Sequence, residues 1–171
     1  MSHYVKGALK VKCSIDIMRR ALIAIMPSWE KHIQIDTQGR IPIYDYNSQI
    51  NKVQKEDGTD EIVKYHLMVP SPKNPNYDAA PGNNWADLGL RQNPDKTWEV
   101  TGDWGGMGST SFKNTEEFEI RVGAQIAKMK AEAWAKYLGS QVKTQDSADS
   151  IRIEISVSAD QAKKLKKKVL A

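Results

Sequence analysis

The sequence predicts an α+β fold, with two main helices on one face of an antiparallel sheet. Alternating apolar and polar residues predict a strand near each end of the chain, at residues 4–13 and 150–157. Two amphipathic helices and a hairpin at residues 85–104 lie between them. This order is typical of a ferredoxin-like split βαβ arrangement, here with a hairpin and loop inserted at residues 36–84.

Composition indicates a globular protein without a membrane span. The chain has 171 residues, 40% apolar and 27% charged, which suits one domain with a sizeable core. The longest apolar run, around residues 21–27, is too short to cross a bilayer. The first residues lack the features of a secretory signal, and the lone Cys13 excludes an internal disulfide and a multi-cysteine metal site. We therefore expect a cytoplasmic protein, of a cell or of an infected host.

The first predicted strand runs directly into the first helix. One face of the strand holds Val5, Gly7, Leu9 and Val11. Ser14 is predicted to cap the helix, and Pro27 to stop it near Met26. Its apolar stripe, which we assign to the core, is Ile15, Met18, Leu22, Ile25 and Met26.

A strand and its return are predicted next. In the strand at residues 31–36, Ile33 and Ile35 are expected to point inward. The return at residues 41–44 contains Pro42, which places it at a sheet edge because proline donates no backbone hydrogen bond.

The rest of the insertion is predicted to be a hairpin and a long loop. Asp57-Gly58 favours a tight turn, so residues 55–60 are the predicted hairpin tip before a strand at 61–69. Four of the seven prolines lie in residues 70–84, which excludes a helix or a central strand there. This segment is a plain connector or a functional loop, and it is ordered only if something packs on Tyr77.

The hairpin at residues 85–104 has its predicted turn at residues 93–96. Leu88, Leu90, Trp98 and Val100 provide its apolar faces. The glycine-rich loop at residues 105–108 follows, and it lacks both the lysine of a P-loop and the glycine register of a dinucleotide fingerprint. It is either a flexible connection or a cradle for an anion.

The long helix begins at Asn114, with Glu117 completing a variant of the capping box. Gly139 is placed to end it in a left-handed turn. Its predicted apolar face is Phe118, Val122, Ile126, Met129, Ala133 and Tyr137, with Trp134 at the border.

The C-terminal region is predicted to be a strand followed by a short basic helix. The strand directs Ile151, Ile153, Ile155 and Val157 inward. Ser158 and Gln161 form a second capping-box signature. We therefore divide the chain into one α+β domain, residues 1–158, and a basic helix, residues 159–171.

Several short motifs resemble the uncharacterised hypothetical chloroplast open-reading-frame thirty-five family of plastids, cyanobacteria, other bacteria and some large phages. They are Met1-Ser2-His3, Ala86-Asp87-Leu88-Gly89, Trp98-Glu99-Val100 and Asp103-Trp104-Gly105-Gly106, followed by the helix from Asn114. The middle region is longer and richer in proline than the family pattern, and the basic end is outside it. The resemblance implies a small accessory protein, in some cases encoded near AAA-type ATPases, with no activity to transfer.

The residues give little support to an enzyme. His3, His32 and His66 are scattered, and nothing in their spacing requires any two of them to meet in the fold. A structural role in hydrogen bonding explains His3 better than metal ligation does. Asp87 and Asp103 either form a carboxylate pair across the hairpin or cap turns and sheet edges. Cys13 precedes a helix, where the helix dipole favours a thiolate, but a small core residue explains it better. No catalytic residue, cofactor or metal ligand is assigned.

The favoured hypothesis is a non-catalytic accessory protein that docks a protein partner, or a second copy of itself, through an aromatic hairpin surface. Trp and Tyr are the residue types most enriched at protein interfaces. The candidate contact residues are Tyr77, Trp85, Trp98, Asp103 and Trp104.

The alternative is a protein that binds single-stranded nucleic acid with its open sheet face and its basic tail. The formal net charge is +4, and the tail alone contributes five lysines. These are Lys163, Lys164, Lys166, Lys167 and Lys168. A solvated helix end that only increases solubility also explains them.

Overall fold

The computed structural model describes residues 5–77, 86–102, 112–146 and 151–163. It confirms an α+β fold, built on a five-stranded antiparallel sheet and two main helices. The chain divides into two compact units, Met1–Gly123 and Ala124–Ala171, and the boundary between them lies inside the long helix.

The main helices are α1 (Ile15–Ile25) and α2 (Thr115–Leu138), with a short 3-10 helix at Pro27–Trp29. A further helix begins at residue 159, and its described part ends at residue 163. The strands are β1 (Val5–Leu9), β2 (Gln34–Ile35), β3 (Ile41–Pro42), β4 (Lys52–Gln54), β5 (Asp60–Ile62), β6 (Lys64–Tyr65), β7 (Leu67–Val69), β8 (Leu88–Gln92), β9 (Trp98–Gly102), β10 (Val142–Asp146) and β11 (Ile151–Ile155).

The main sheet has the strand order β1-β9-β8-β7-β2. Strand β9 therefore lies between β1 and β8, as the middle strand does in a split βαβ unit. The strand predicted to complete a ferredoxin-like sheet is β11, but β11 pairs with β10 in a separate two-stranded sheet. Strand β7 belongs to the main sheet although it lies inside the predicted insertion.

One face of the sheet is largely apolar and forms the core of the first unit. Its fully buried side chains include Leu9, Leu67, Leu88, Leu90, Trp98 and Val100. Helix α2 crosses this face at Gly7, where a Cβ atom would clash with Thr115. Helix α1 is capped by Ser14 as predicted, and it buries Met18, Ala21 and Leu22.

The opposite face is covered at its centre by the insertion. A Cβ atom at Gly89 would lie 2.7–2.9 Å from the ring of Tyr65, so only glycine allows this close approach. Tyr65 and Met68 form a buried cluster with Ile43 and Val63. The sheet face that was predicted to be open to solvent or to a partner is therefore covered at its centre by the insertion.

The insertion has two small sheets of its own. Strand β3 returns to β6 and not to β2, because the segment predicted as one strand at residues 61–69 is broken into β5, β6 and β7. Strands β4 and β5 form the predicted hairpin, with Gly58 at a φ of 82° in its turn. Ile35 is 43% exposed, so its predicted inward direction is wrong, whereas Ile33 is buried.

The ends of α2 follow the sequence prediction. The Glu117 backbone N–H donates to Asn114 Oδ1 at 2.8 Å, and the Glu117 side chain accepts from the Lys113 N–H at 2.7 Å. At the other end, the Ser140 N–H donates to the carbonyl of Ala135 at 2.8 Å, as in a Schellman motif.

The predicted apolar face of α2 holds only in the first half of the helix. Phe118, Val122 and Ile126 are fully buried. In the second half, Ala135 and Leu138 are buried, while Tyr137 is 53% exposed and Ala133 is exposed. The predicted apolar face is therefore wrong at Ala133 and Tyr137, although it is confirmed at Phe118, Val122 and Ile126.

Candidate functional site

Trp98 was predicted to contact a partner, but it is a core residue. It has no exposed surface, and its Nε1–H donates to the carbonyl of Cys13 at 3.1 Å. Its ring lies 6.4 Å from that of His66, edge to face. Alternation along β9 places Trp98 on the apolar face of the sheet with Val100, which removes it from the candidate docking surface.

The other hairpin candidates, Trp85, Asp103 and Trp104, lie outside the described residues. The glycine-rich loop at residues 105–108 lies outside them as well. Lys163 is exposed at the end of the last described segment, and Lys164, Lys166, Lys167 and Lys168 follow it outside the described range.

Tyr77 packs against the buried cluster of the insertion. It is half-buried, and burial raises the pKa of its hydroxyl. This contact orders the start of the proline-rich segment. The sequence predicted that the segment would be ordered only if another part of the protein packs on Tyr77. Tyr77 therefore stabilises the insertion, with part of its ring still accessible.

A buried carboxylate ties the insertion to the main sheet. Asp87 is fully buried directly before β8. Its Oδ1 accepts from the Ser71 N–H at 2.7 Å. Its Oδ2 accepts from the Tyr44 N–H at 2.8 Å and from Asn74 Nδ2 at 2.6 Å. Burial raises the pKa of Asp87, and these hydrogen bonds act in the opposite direction.

These contacts assign a structural role to Asp87. The Asp87 N–H also donates to the Tyr44 carbonyl at 3.0 Å, so the two residues are joined in both directions. Both carboxylate oxygens already accept strong hydrogen bonds, which leaves them poorly suited to bind a substrate. Of the two explanations that the sequence left open for Asp87, capping of turns is the one found here.

A second buried polar contact holds the base of the β4–β5 hairpin. Asn51 Nδ2 donates to the Tyr65 hydroxyl at 2.9 Å, and Tyr65 also hydrogen-bonds the Thr101 side chain. The Asn51 backbone bonds to Ile43 and Val63, at 2.9 and 3.1 Å. The hairpin base is thus fixed to the core through Asn51.

Beyond this base, the hairpin extends into solvent. We call residues 52–62 the ribbon; every one of them is exposed. Val53 is 44% exposed and Ile62 39%, and the strand register places them on opposite faces of the ribbon. The tip is ordered by Asp57, which accepts from the Thr59 N–H at 2.9 Å. Isolated two-stranded ribbons are marginally stable in water, so this one depends on its anchored base.

A polar cleft of about 750 Å³ lies between the ribbon and the uncovered part of the sheet face. Lys6 and Arg91 line it from the sheet. The insertion contributes apolar side chains and charges of both signs, from Val53, Lys55, Asp60, Glu61, Ile62 and Lys64. Arg91 is paired with Glu99. Among the described residues, no carboxylate pairs with Lys6 or Lys64, so two cations face the cleft beside exposed apolar side chains.

A second cavity, of about 560 Å³, adjoins Cys13 and the start of α1. Cys13 is buried, and its carbonyl accepts from Gln92 Nε2 at 2.7 Å as well as from Trp98. The residue therefore joins α1 to the hairpin, as expected for a small core residue.

His66 also has a structural role. Its Nδ1 accepts from the Gln92 N–H at 3.0 Å, which is possible only for the neutral ring. Burial lowers the pKa of His66. The unfolded chain therefore takes up a proton at a higher pH than the folded chain does.

We expect the free energy of unfolding to fall as the pH drops below about 6.5, since His66 contributes stability above its unfolded pKa. His66→Asn keeps an acceptor near Nδ1 but does not titrate. Urea unfolding at several pH values between about 5 and 7.5 should show a shallower dependence for this variant. Equal slopes for the two proteins would contradict this assignment.

No local sequence pattern identified Asn51, Ser71 and Asn74, the polar partners that organise the insertion. Each is an ordinary turn or loop residue whose partner lies far away in the chain. The ribbon was predicted as a hairpin, but its complete exposure follows only from what its neighbours cover.

The parts of the chain with assigned positions contain no group of three or more His, Cys, Asp or Glu residues able to hold a metal ion. No helix within them is long and apolar enough to cross a membrane. Comparison with protein-family models, curated proteins and solved structures finds no match to this chain.

Proposed function

We propose that this protein is a non-catalytic accessory protein that docks a protein partner through the ribbon and the adjoining cleft. The observation that supports this is a ribbon exposed along its whole length and anchored at its base to a buried cluster. Such an arm holds two apolar side chains away from the core at a fixed position. The surface differs from the aromatic hairpin of the sequence hypothesis, since Trp98 is buried.

The chemistry of the cleft favours a particular partner segment. The lining cations, Lys6, Lys55, Lys64 and Arg91, outnumber the lining carboxylates of Asp60 and Glu61. Val53 and Ile62 offer apolar contact on either face of the ribbon. An extended acidic segment with apolar residues beside its carboxylates complements both features. The resemblance to the open-reading-frame thirty-five family makes an AAA-type ATPase one candidate source of this segment.

A ribbon with two added negative charges tests the proposal. Val53→Asp combined with Ile62→Asp removes both apolar contacts and adds repulsion toward an acidic segment. We expect partner recovery to fall at least about tenfold, which corresponds to 1.4 kcal/mol of binding free energy. Tagged wild-type and variant chains, expressed in cells of the native source, would be compared by quantitative mass spectrometry of the proteins that copurify.

Ile120→Asp is the matched control. Ile120 is 48% exposed on α2, so its change is chemically similar and lies outside the ribbon. Equal recovery by all three chains, each folded by circular dichroism, would contradict the proposal. Sedimentation velocity of the purified chain separates self-association: a dimer that the ribbon variant dissociates would identify a second copy as the occupant and overturn docking of a different protein.

The sheet-face version of the nucleic-acid alternative has little support. Stacking of bases requires an accessible face with aromatic side chains. Met68 and Thr101 on this face are buried, and Tyr65 covers Gly89. The basic C-terminal region is a separate surface.

A further inference from the structure

Two hydrogen bonds fix which backbone groups of the ribbon point outward. Near the tip, the Lys55 N–H donates to the Thr59 carbonyl at 2.8 Å. At the base, the Val63 N–H donates to the Asn51 carbonyl at 3.1 Å. Bonded and non-bonded pairs alternate along an antiparallel ladder, so every second residue of β5 turns its N–H and C=O groups away from β4.

The residues of β5 with outward backbone groups are Asp60 and Ile62. They lie opposite Gln54 and Lys52 in non-bonded pairs, and all four residues are exposed. Within the described part of the chain, no strand other than β4 pairs with β5. Asp60 and Ile62 therefore each offer a backbone donor and an acceptor to a further strand.

The open edge of β5 begins where β3 ends. Strand β6 follows β5 in the chain, and its Lys64 pairs with Pro42, the last residue of β3. Because backbone direction alternates, the open groups of β5 turn to the same side as those of Lys64. After Pro42 the chain turns away, since the Tyr44 N–H donates to the buried Asp87 carboxylate. A segment paired with β5 would therefore continue the line of β3 toward the ribbon tip.

The charges along this edge determine the chemistry of the segment that fits it. Asp60 lies at the tip end of β5, and Lys64 follows its base end; both line the cleft. A carboxylate of the added segment is therefore favoured near Lys64 and disfavoured opposite Asp60. Between them, the 39% exposed Ile62 offers an apolar cross-strand contact.

We propose that the partner segment binds as an extended third strand on the open edge of β5, with an apolar residue opposite Ile62 and its carboxylates at the end nearest Lys64. Strand addition suits this surface, because main-chain hydrogen bonds supply affinity and alternate side chains supply specificity. The inference rests on the proposed function, since it assigns a binding mode to the same surface.

Amide hydrogen exchange of the full chain, followed by NMR, tests this binding mode. The probe is a synthetic peptide of about eight residues, with alternating valine and threonine and two glutamates at one end, made in both sequence directions. At a peptide concentration of about ten times Kd, the N–H groups of Asp60 and Ile62 should exchange about tenfold more slowly. Those of Lys52 and Gln54, on the opposite edge of the ribbon, should exchange at an unchanged rate.

Proline substitutions separate backbone pairing from side-chain contact. Asp60→Pro removes the outward N–H, whereas Asp60→Ala keeps it. Gln54→Pro is the matched control, because Gln54 lies opposite Asp60 and its N–H points outward on the other edge. We expect Asp60→Pro to weaken peptide binding at least about tenfold, and the other two variants to change it less than about twofold.

Several outcomes would overturn strand addition. They are no binding of either peptide up to about 1 mM, binding that leaves exchange at Asp60 and Ile62 unchanged, and equal binding by the Asp60→Pro and wild-type chains. Protection that appears in the chain alone and rises with its concentration would identify a second copy as the added strand, and would likewise overturn the proposal.

Failure of the binding mode and failure of the proposed function give different results in the copurification experiment. If the Asp60→Pro chain recovers its cellular partner in full while the chain with Val53→Asp and Ile62→Asp does not, the ribbon docks a partner without strand addition. Full recovery by both chains would contradict docking through the ribbon itself.

Discussion

Replacing Asp87 with Asn is expected to lower the free energy of unfolding by about 2–4 kcal/mol, although the two side chains have nearly the same shape. Both carboxylate oxygens accept hydrogen bonds, from Ser71 on one side and from Tyr44 and Asn74 on the other. An amide has only one oxygen, so its NH₂ group must face N–H donors on one of the two sides. The variant would leave buried donors unpaired and force a donor against a donor.

The Asp87→Asn substitution should also destabilise the insertion locally, in addition to lowering the free energy of unfolding of the whole chain. Asp87 connects β8 to the strand-end residue Tyr44 and to the loop that contains Ser71 and Asn74. Hydrogen exchange should therefore accelerate first in residues 43–77, before the main sheet loses protection.

Urea unfolding of the wild type and Asp87→Asn measures the effect directly. Asp16→Asn is the control, since Asp16 is exposed and only weakly paired with Arg20 at 3.8 Å; it should change stability by less than about 0.5 kcal/mol. Equal stability of the Asp87 and Asp16 variants would show that the buried carboxylate does not hold the insertion in place.

Gly89→Ala is expected to cost about 2–3 kcal/mol of unfolding free energy, because a methyl group would be forced against the Tyr65 ring. The ring cannot move aside easily, since its hydroxyl bonds to Asn51 and Thr101. Gly89 also lies in the centre of the main sheet, where backbone movement would disturb two ladders.

A double-mutant cycle with Tyr65→Leu isolates this contact. In the Leu background, Gly89→Ala should cost at least about 1 kcal/mol less than in the wild type. Gly123→Ala serves as the control: it lies in α2 with only Val11 at 3.4 Å, and alanine favours a helix, so a small gain in stability is expected. Additive costs at positions 89 and 65 would contradict close packing of the insertion on the sheet.

Local sequence patterns predicted the elements well, because their causes lie within a few residues. Ser14 caps α1, Asn114 and Glu117 cap α2, and Asp57-Gly58 closes the ribbon. The main hairpin also followed from alternation on both sides of its turn.

The errors have a common cause in long-range pairing. Strand β10 was missed because residues 142–146 have little apolar alternation, and its pairing moved β11 away from the main sheet. The exposure of Tyr137 depends on which elements pack against the second half of α2, and helical spacing within α2 does not determine that.

The candidate site was the least predictable part. Trp98 was predicted at an interface because tryptophan is enriched there, yet it fills the core. The large apolar side chains exposed in the described part of the insertion, Val53 and Ile62, are aliphatic. Exposure of Val53 and Ile62 depends on the ribbon extending past the cluster that anchors it. Sequence spacing fixes the hairpin but does not show which of its faces another part of the chain will cover.

The central claim, that the ribbon contacts a protein partner, is tested most directly by photo-crosslinking in cells of the native source. A photoreactive phenylalanine derivative would replace Val53 in one chain and Ile120, on α2, in another. We predict that the chain labelled at position 53 forms a discrete crosslinked species with a different protein. A crosslink from position 120 alone, or none from either chain, would contradict docking through the ribbon.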